Sequence, residues 1–135
     1  MGIKVYLSGP MLGCDTELMK KWRNHVKEEL KNTNYVFIDP TNLHYDNEAE
    51  HADEVVAYAE RCVMEADIIL AYIPFYSMGT SCEILWAAQQ NKEIIAVLIV
   101  KDESAFVYKY ADSIFHDLDT AIQYLRDRDV LKNRG

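Results

Sequence analysis

The chain has 135 residues and a mass of 15.6 kDa, which is the size of one domain. Half of its residues (50%) are apolar and 27% are charged, so the composition excludes disordered, collagen-like and disulfide-rich classes of protein. The 14 Lys and Arg residues against 22 Asp and Glu residues give a net charge of −8. This balance argues against nucleic-acid polymers and membranes as partners, whereas main-chain amides can hold a small anionic ligand.

The N-terminus leads directly into a strand-like segment and lacks the charged and apolar regions of a signal peptide. No apolar stretch reaches the roughly 20 residues that span a bilayer. The three cysteines, Cys14, Cys62 and Cys82, are widely spaced and form no CxxC motif. That spacing is typical of small buried thiols in a reducing compartment, so we expect a cytoplasmic protein.

Segments of strand length alternate with segments of helical periodicity along the whole chain. In chain order, the first half predicts a strand over residues 3–8, a helix from Asp15 to about Leu30, a strand over residues 35–38, a polar loop over residues 41–50 and a helix from about Glu50 to Met64. The second half predicts a strand over residues 68–73, a helix from Gly79 or Thr80 to about Gln90, a strand over residues 93–100, a short helix within residues 103–112, a strand over residues 113–115 and a helix from Asp117 or Asp119 to about Leu125.

This alternation predicts one α/β domain over residues 1–135, with a frayed tail from about residue 128. Helix-length crossovers favour a roughly five-stranded parallel sheet with helices on both faces, of the flavodoxin or Rossmann-like kind. In open α/β sheets, ligands bind beyond the carboxyl ends of the strands. We therefore expect functional residues in three loops, at residues 8–14, 39–46 and 74–83.

The loop before the third helix carries the densest chemistry. Ser77, Gly79 and Thr80 combine hydroxyl groups, a flexible main chain and a helix N-terminus, so we expect them to bind a phosphate or sugar oxygen of a substrate. We expect Glu83 in the first turn of this helix, where the helix dipole favours its ionised form, and such a carboxylate can attack a sugar anomeric carbon. The spacing Thr80-x-x-Glu83 also fits a capping box, and spacing alone favours that structural role.

Further candidates lie at the ends of the first two strands. Tyr6 can direct its hydroxyl at a ligand carboxylate, or it is an ordinary half-buried strand tyrosine. Ser8 and Gly9 follow it and are candidate substrate contacts. Asp39 can bind a base or ribose edge, or it serves only the turn at Asp39-Pro40.

Metal and cofactor sites are not predicted. His44 and His51 flank Asp46, but their spacing matches no metal-binding motif. The phosphate-binding motifs GxGxxG and GxxxxGK[ST] are absent. Cys82 has no His or Asn partner at a suggestive spacing, which argues against a thiol nucleophile.

Three segments, residues 5–10 (VYLSGP), 66–71 (ADIILA) and 77–84 (SMGTSCEI) with Ala87 behind the last, together resemble the nucleoside 2-deoxyribosyltransferase family. The resemblance includes the related 2'-deoxynucleoside 5'-monophosphate N-glycosidases and covers residues 3–126. The first and third segments are its most specific part.

The resemblance implies cleavage or transfer at the N-glycosidic bond of a (deoxy)nucleoside or its 5'-monophosphate. Glu83 matches the family's nucleophile, which forms a covalent glycosyl ester, and Tyr6 matches the residue that positions it. Ser77 stands where the monophosphate N-glycosidases carry a phosphate-contacting serine. The resemblance also implies a homo-oligomer in which neighbouring chains complete the site, and it implies no cofactor.

One position departs from the family pattern. The aspartate that handles the leaving base is replaced by Ala59, next to Glu60. Glu60 is the first candidate to replace it, with Asp46 or Asp39 as alternatives from a loop. A second function is therefore open, in which the chain binds a nucleotide with little or no turnover. A lysine-decarboxylase-like phosphoribohydrolase also uses a GT..E element, but the PGG run that precedes it there is absent.

Overall fold

The computed structural model describes residues 2–43, 45 and 47–134, with side chains up to residue 131, and strands alternate with helices throughout. Within these residues the strands are β1 Ile3–Ser8, β2 Tyr35–Ile38, β3 Ile68–Ile73, β4 Glu93–Leu98 and β5 Ser113–Phe115. The α-helices are α1 Thr16–Glu29, α2 Ala52–Glu65, α3 Met78–Gln89, α4 Ala105–Tyr110 and α5 Leu118–Arg134. Two 3₁₀ turns, Pro40–Asn42 and Glu48–His51, lie in the segment predicted as a polar loop.

The strands form one sheet in the order β2-β1-β3-β4-β5, and every neighbouring pair is parallel. Tyr6 of the central β1 pairs with Ile38 on one side and with Ile69 on the other. Each connecting helix returns the chain to the same edge, which makes the pairing parallel. The predicted α/β fold is confirmed, and its strand order reverses between β1 and β3, where such folds bind ligands.

Side chains of each strand alternate between the two faces of the sheet. Helices α1 and α5 cover the first face, where the core contains Val5, Leu7, Trp22, Val26, Leu30, Leu70, Val97, Ile122 and Leu125. Helices α2, α3 and α4 cover the second face, where the core contains Tyr6, Cys62, Val63, Ile69, Ala71, Ile84, Ala87, Ile94 and Val107. Because β1 alternates, Tyr6 and Ser8 face α3, which carries Glu83.

Besides the start of α2, at Ala52 instead of about Glu50, two predicted boundaries are wrong by two residues or fewer. Helix α3 begins at Met78, with Ser77 as its N-cap residue, one or two residues earlier than predicted. Strand β4 ends at Leu98 instead of residue 100, and Ile99 is already 40% exposed. Both differences arise where the chain leaves the sheet, since sequence patterns define element ends less sharply than element centres.

The last helix is much longer than predicted. Instead of ending near Leu125 before a frayed tail, α5 continues to Arg134. Its extension has tertiary partners: Arg128 Nη2 donates to Glu93 Oε1 at 2.9 Å, and Asp129 Oδ1 accepts from the Asn34 amide at 2.9 Å. These partners come from distant parts of the chain, so local periodicity could not show them.

In the described part of the chain, no helix is long and apolar enough to cross a membrane.

Candidate active site

The candidate site lies at the carboxyl edge of the sheet, where β1 meets the start of α3. Buried residues on α3 recur at Thr80, Glu83, Ile84 and Ala87, which is the helical spacing of one face. Glu83 therefore points at the sheet from the second turn of the helix. The prediction that Glu83 lies in the first turn is wrong, because the helix begins at Met78.

Two hydroxyl groups of β1 hold the Glu83 carboxylate. The Tyr6 hydroxyl donates to Glu83 Oε2, and Ser8 Oγ donates to Glu83 Oε1 at 2.6 Å. Glu83 is 7% exposed, and Tyr6 and Ser8 are buried. The capping-box interpretation is wrong, since the carboxylate bonds to these hydroxyls and Thr80 lies inside the helix.

Burial and hydrogen bonding act in opposite directions on this carboxylate. Burial raises the pKa of Glu83, while the hydrogen bonds from Ser8 and Tyr6 and the charge of Arg23 lower it, and the net direction is upward. Burial, followed by the charge and the hydrogen bond of Glu83, raises the pKa of the Tyr6 phenol far above its ordinary value. Tyr6 is therefore a neutral hydrogen-bond donor at any physiological pH.

Arg23 is a functional candidate that the sequence analysis missed. It is buried on the apolar face of α1 beside Met19, Trp22 and Val26. Its guanidinium donates to Leu7 O at 3.1 Å, Gly9 O at 3.1 Å and Met19 O at 2.9 Å. The sequence did carry a signal for it: an arginine stands on the same helix face as the apolar Met19, Trp22 and Val26. A buried charge requires specific partners, so an arginine at such a position is worth following.

Gly9 lies where the structure leaves no room for a side chain. A Cβ atom there would lie 2.7 Å from Cζ2 of Trp22, closer than packed carbon atoms approach. The Gly9 carbonyl in turn accepts from Arg23. The packing of Trp22 therefore explains why position 9 is a glycine. A substrate contact through Gly9 stays a prediction.

The residues expected to bind a phosphate lie together at the N-terminus of α3. Ser77 Oγ donates to Thr80 Oγ1 at 2.8 Å, and Ser77 O accepts from the Ser81 amide at 3.1 Å. Nothing lies within 4 Å of a Cβ built on Gly79, so this side of the helix is open. Gly79 has no positive φ, so the expected turn through glycine flexibility is not what forms here.

Asp39 is engaged by neighbours of its own. Asp39 Oδ2 accepts from Lys27 Nζ at 2.7 Å, and Oδ1 accepts from the amide and hydroxyl of Thr41 at 2.9 and 2.6 Å. Burial acts to raise the pKa of Asp39, but these hydrogen bonds hold it below its ordinary value. The geometry assigns Asp39 a capping role at the 3₁₀ turn, and its role as a substrate contact stays a prediction.

At position 59, where the family pattern has an aspartate, α2 carries no carboxylate. Ala59 is half-buried, whereas Glu60 is exposed, about 100° around the helix. Tyr58 is half-buried beside Cys62, and burial raises the pKa of both groups. The structure thus brings Tyr6, Ser8 and Glu83 together but gives Glu60 no described contact with them.

Two residues considered for metal or acid roles, His44 and Asp46, lie outside the described residues. Of their neighbours, His51 stacks on Tyr45 with ring centroids 4.0 Å apart. Among the residues that the structure describes, no group of three or more His, Cys, Asp or Glu side chains could hold a metal ion.

Comparisons with known proteins identify the fold. No family model and no curated protein sequence matches the chain. Among solved structures, a 2-deoxyribosyltransferase from Bacillus psychrosaccharolyticus matches with a TM-score of 0.69 and 17% identity, covering 88% of this chain and 90% of that one. A 2-deoxyribosyltransferase from Leishmania mexicana matches with a TM-score of 0.65 and 18% identity, covering 90% of this chain and 95% of that one.

A CMP N-glycosidase from Clostridium botulinum matches with a TM-score of 0.59 and 20% identity, covering 91% of this chain and 97% of that one. At such low identity the likeness establishes a common fold, so the chain has the fold of these enzymes over nearly its whole length.

Proposed function

We propose that this chain, which has the fold of 2-deoxyribosyltransferases and of a CMP N-glycosidase, cleaves or transfers at the N-glycosidic bond of a (deoxy)nucleoside or its 5'-monophosphate. One observation carries the proposal: a buried glutamate, Glu83, held by two hydroxyl groups at the point where the strand order reverses. The motif resemblance at residues 5–10 and 77–84 supports the same activity.

In the proposed reaction an oxygen of ionised Glu83 attacks the anomeric carbon of the sugar. The bond from that carbon to the base nitrogen breaks, and its electron pair leaves with the base, which takes up a proton from solvent. Water then attacks the anomeric carbon of the glycosyl ester and gives up a proton to solvent; the ester bond breaks, the Glu83 carboxylate is released and the sugar is set free. In transfer a second base attacks in place of water and loses its proton in the same way. Each Glu83 oxygen accepts one hydroxyl, which orients the carboxylate and leaves a lone pair for attack.

The open N-terminus of α3 favours a 5'-phosphorylated substrate. The amides of its first turn have no partner within the helix and attract an anion. Ser77 stands at the N-cap position but its side chain caps no amide of this turn, and Gly79 leaves room above it. We propose that Ser77, Gly79 and Thr80 hold the phosphate while Glu83 attacks at the other end of the sugar.

Exposed apolar side chains near the site support self-association. Met78 and Phe106 are 84% and 74% exposed, and Phe75, Tyr76 and Tyr108 are also exposed. These residues belong to the loop before α3, its first turn and the adjacent α4. An apolar surface of this kind marks an interface, and we propose that a second copy of the chain covers it and completes the site.

A panel of ribo- and deoxyribonucleosides and their 5'-monophosphates tests the function, with free base measured by chromatography in the presence and absence of an acceptor base. We expect base release from monophosphates and its loss in Glu83→Gln. Glu65→Gln is the matched control, since Glu65 is an exposed glutamate at the far end of α2. Full turnover by Glu83→Gln would refute the nucleophile.

The second candidate function is nucleotide binding without turnover, and it is favoured by Ala59. No carboxylate occupies that position, and the nearby Asp39 is held by Lys27 and Thr41. Tight binding of a nucleotide with no base released would support this function. Gain of base release in Ala59→Asp would then show that only the acid is missing.

A further inference from the structure

Arg23 is a buried cation without a direct carboxylate partner among the residues that the structure describes. It has 0% exposure, and its hydrogen bonds go to three main-chain carbonyl groups. A buried charge is costly unless it is paired and hydrogen-bonded. Such a residue needs an explanation beyond core packing, since an apolar side chain would fill the space at lower cost.

The guanidinium hydrogen-bonds to the main-chain carbonyl groups on both sides of Ser8. Arg23 Nε donates to Leu7 O, and Nη2 donates to Gly9 O, both at 3.1 Å. Between these carbonyls, Ser8 Oγ donates to Glu83 Oε1. The planar guanidinium presents its donors in a fixed geometry, so it constrains the main chain from which the Ser8 hydroxyl reaches the carboxylate.

The charge of Arg23 is compensated by groups around the site. Burial lowers the pKa of Arg23, while Asp39, Tyr6, Glu83 and Cys14 act in the opposite direction. An arginine nevertheless stays protonated in proteins. The groups that face Glu83 are Tyr6 from β1, Cys62 from α2 and Arg23 from α1, and Arg23 is the cation among them.

We infer that Arg23 is a positioning residue for the nucleophile: it fixes the main chain around Ser8, and its permanent charge favours the ionised form of Glu83. The inference rests on the proposed function only in that Glu83 is the nucleophile. Two contributions follow from one side chain. The hydrogen bonds set the geometry of the Ser8 hydroxyl, and the charge opposes the effect of burial on the carboxylate.

Direct titration of Glu83 tests the inference without any substrate. The carboxyl signal is followed by ¹³C NMR on glutamate-labelled protein and assigned by its absence in Glu83→Gln. We expect Arg23→Met to raise the pKa of Glu83. Arg128→Met is the matched control, because Arg128 bonds to Glu93 at the opposite edge of the sheet, and it should leave the Glu83 titration unchanged. An unchanged titration in folded Arg23→Met overturns the inference.

The kinetic test separates charge from geometry. In Arg23→Met we expect the loss of base release to be at least about tenfold greater at acidic than at alkaline pH, since one pKa unit changes the ionised fraction about tenfold. Arg23→Lys keeps the charge but not the planar group, and we expect it to lower kcat more evenly across pH. An equal loss at all pH values in both variants would reduce Arg23 to a structural residue and overturn the charge contribution.

A second variant keeps the inference testable if Arg23→Met does not fold. Arg23→Gln keeps amide donors for the main-chain carbonyl groups but carries no charge, and we expect it also to raise the pKa of Glu83. An unchanged Glu83 titration in folded Arg23→Gln would overturn the charge contribution. If Glu83→Gln abolishes base release but Glu83 titrates identically in the parent and in Arg23→Met, the proposed function stands and this inference alone fails.

Discussion

At the scale of single residues, the site depends on how one carboxylate is shared between two hydroxyl groups. A hydrogen bond to a charged group contributes about 1.5–3 kcal/mol, and Ser8 and Tyr6 each donate one to Glu83. Burial of the same group opposes its ionisation. The sequence predicted Ser8 as a substrate contact, whereas the structure directs its hydroxyl to the Glu83 carboxylate.

Removing the Ser8 hydroxyl should slow the reaction. We expect Ser8→Ala to lower kcat about 10- to 150-fold, the equivalent of about 1.5–3 kcal/mol, because Glu83 loses a donor to its ionised form. The loss should be greatest at acidic pH, since the pKa of Glu83 then rises. Thr33→Val is the control: Thr33 also makes a 2.6 Å hydroxyl bond, to Leu30 O at the other edge of the sheet. Equal losses in both variants would contradict this prediction.

Replacing the buried Glu83 by a neutral residue should stabilise the fold. Burial raises the pKa of Glu83 above its ordinary 4.5, so between the two values the folded protein keeps a proton that the unfolded chain has released. The free energy of unfolding therefore falls as the pH rises through that window, and the cost persists at neutral pH.

We expect Glu83→Gln to melt at a higher temperature than the parent at neutral pH, with about 2–8 °C for each kcal/mol regained. Calorimetry over a range of pH checks this. The difference should vanish below the ordinary carboxyl value, where both side chains are neutral. A gain that persists there, or that Glu65→Gln shows equally, would contradict the explanation.

Among the helices, α5 is held in place by two kinds of contact, one for each half. The half that the periodicity predicted contains Ala121, Ile122 and Leu125, all buried against the first face of the sheet. The unpredicted half is fixed by polar contacts, such as that of Arg128 with Glu93. Hydrophobic patterning reports the first kind of contact and is silent on the second.

Two leucines of α5 differ in burial, so we expect their replacement to differ in its effect on the free energy of unfolding. Leu125 is 0% exposed and Leu131 is 68% exposed. We expect Leu125→Ala to lower the free energy of unfolding by about 2–5 kcal/mol, because it leaves a cavity beneath the sheet. Leu131→Ala should change it by no more than about 0.5 kcal/mol. Urea denaturation measures both, and similar losses would contradict the packing of α5.

At the scale of the whole molecule, an apolar surface and a net charge of −8 oppose each other. Met78, Phe106 and Tyr108 expose apolar area beside the site, which favours association. The excess of acidic residues makes copies of the chain repel one another, and salt screens that repulsion.

We therefore expect the protein to self-associate more strongly as the salt concentration rises, and Phe106→Asp to shift it toward monomer. Sedimentation velocity measures both effects. Leu131→Asp is the control, since it adds the same charge at an exposed leucine on α5. If the parent is monomeric at all salt concentrations, or if both variants dissociate equally, α4 is not the interface.

Local patterns were enough to predict the α/β fold, because strands of alternating or continuous apolar residues and helices of 3.6-residue periodicity are visible in short stretches of sequence. The resemblance of residues 5–10 and 77–84 to a known family indicated Glu83 and Tyr6 as site residues, whereas spacing alone favoured a capping role for Glu83. The catalytic role of Glu83 stays a proposal, whereas its capping interpretation was excluded by contacts of the folded chain, since that interpretation depends on what β1 places opposite α3. The same holds for Arg23, Ser8 and the end of α5: each role is a contact between residues far apart in the chain, and no local pattern encodes the partner.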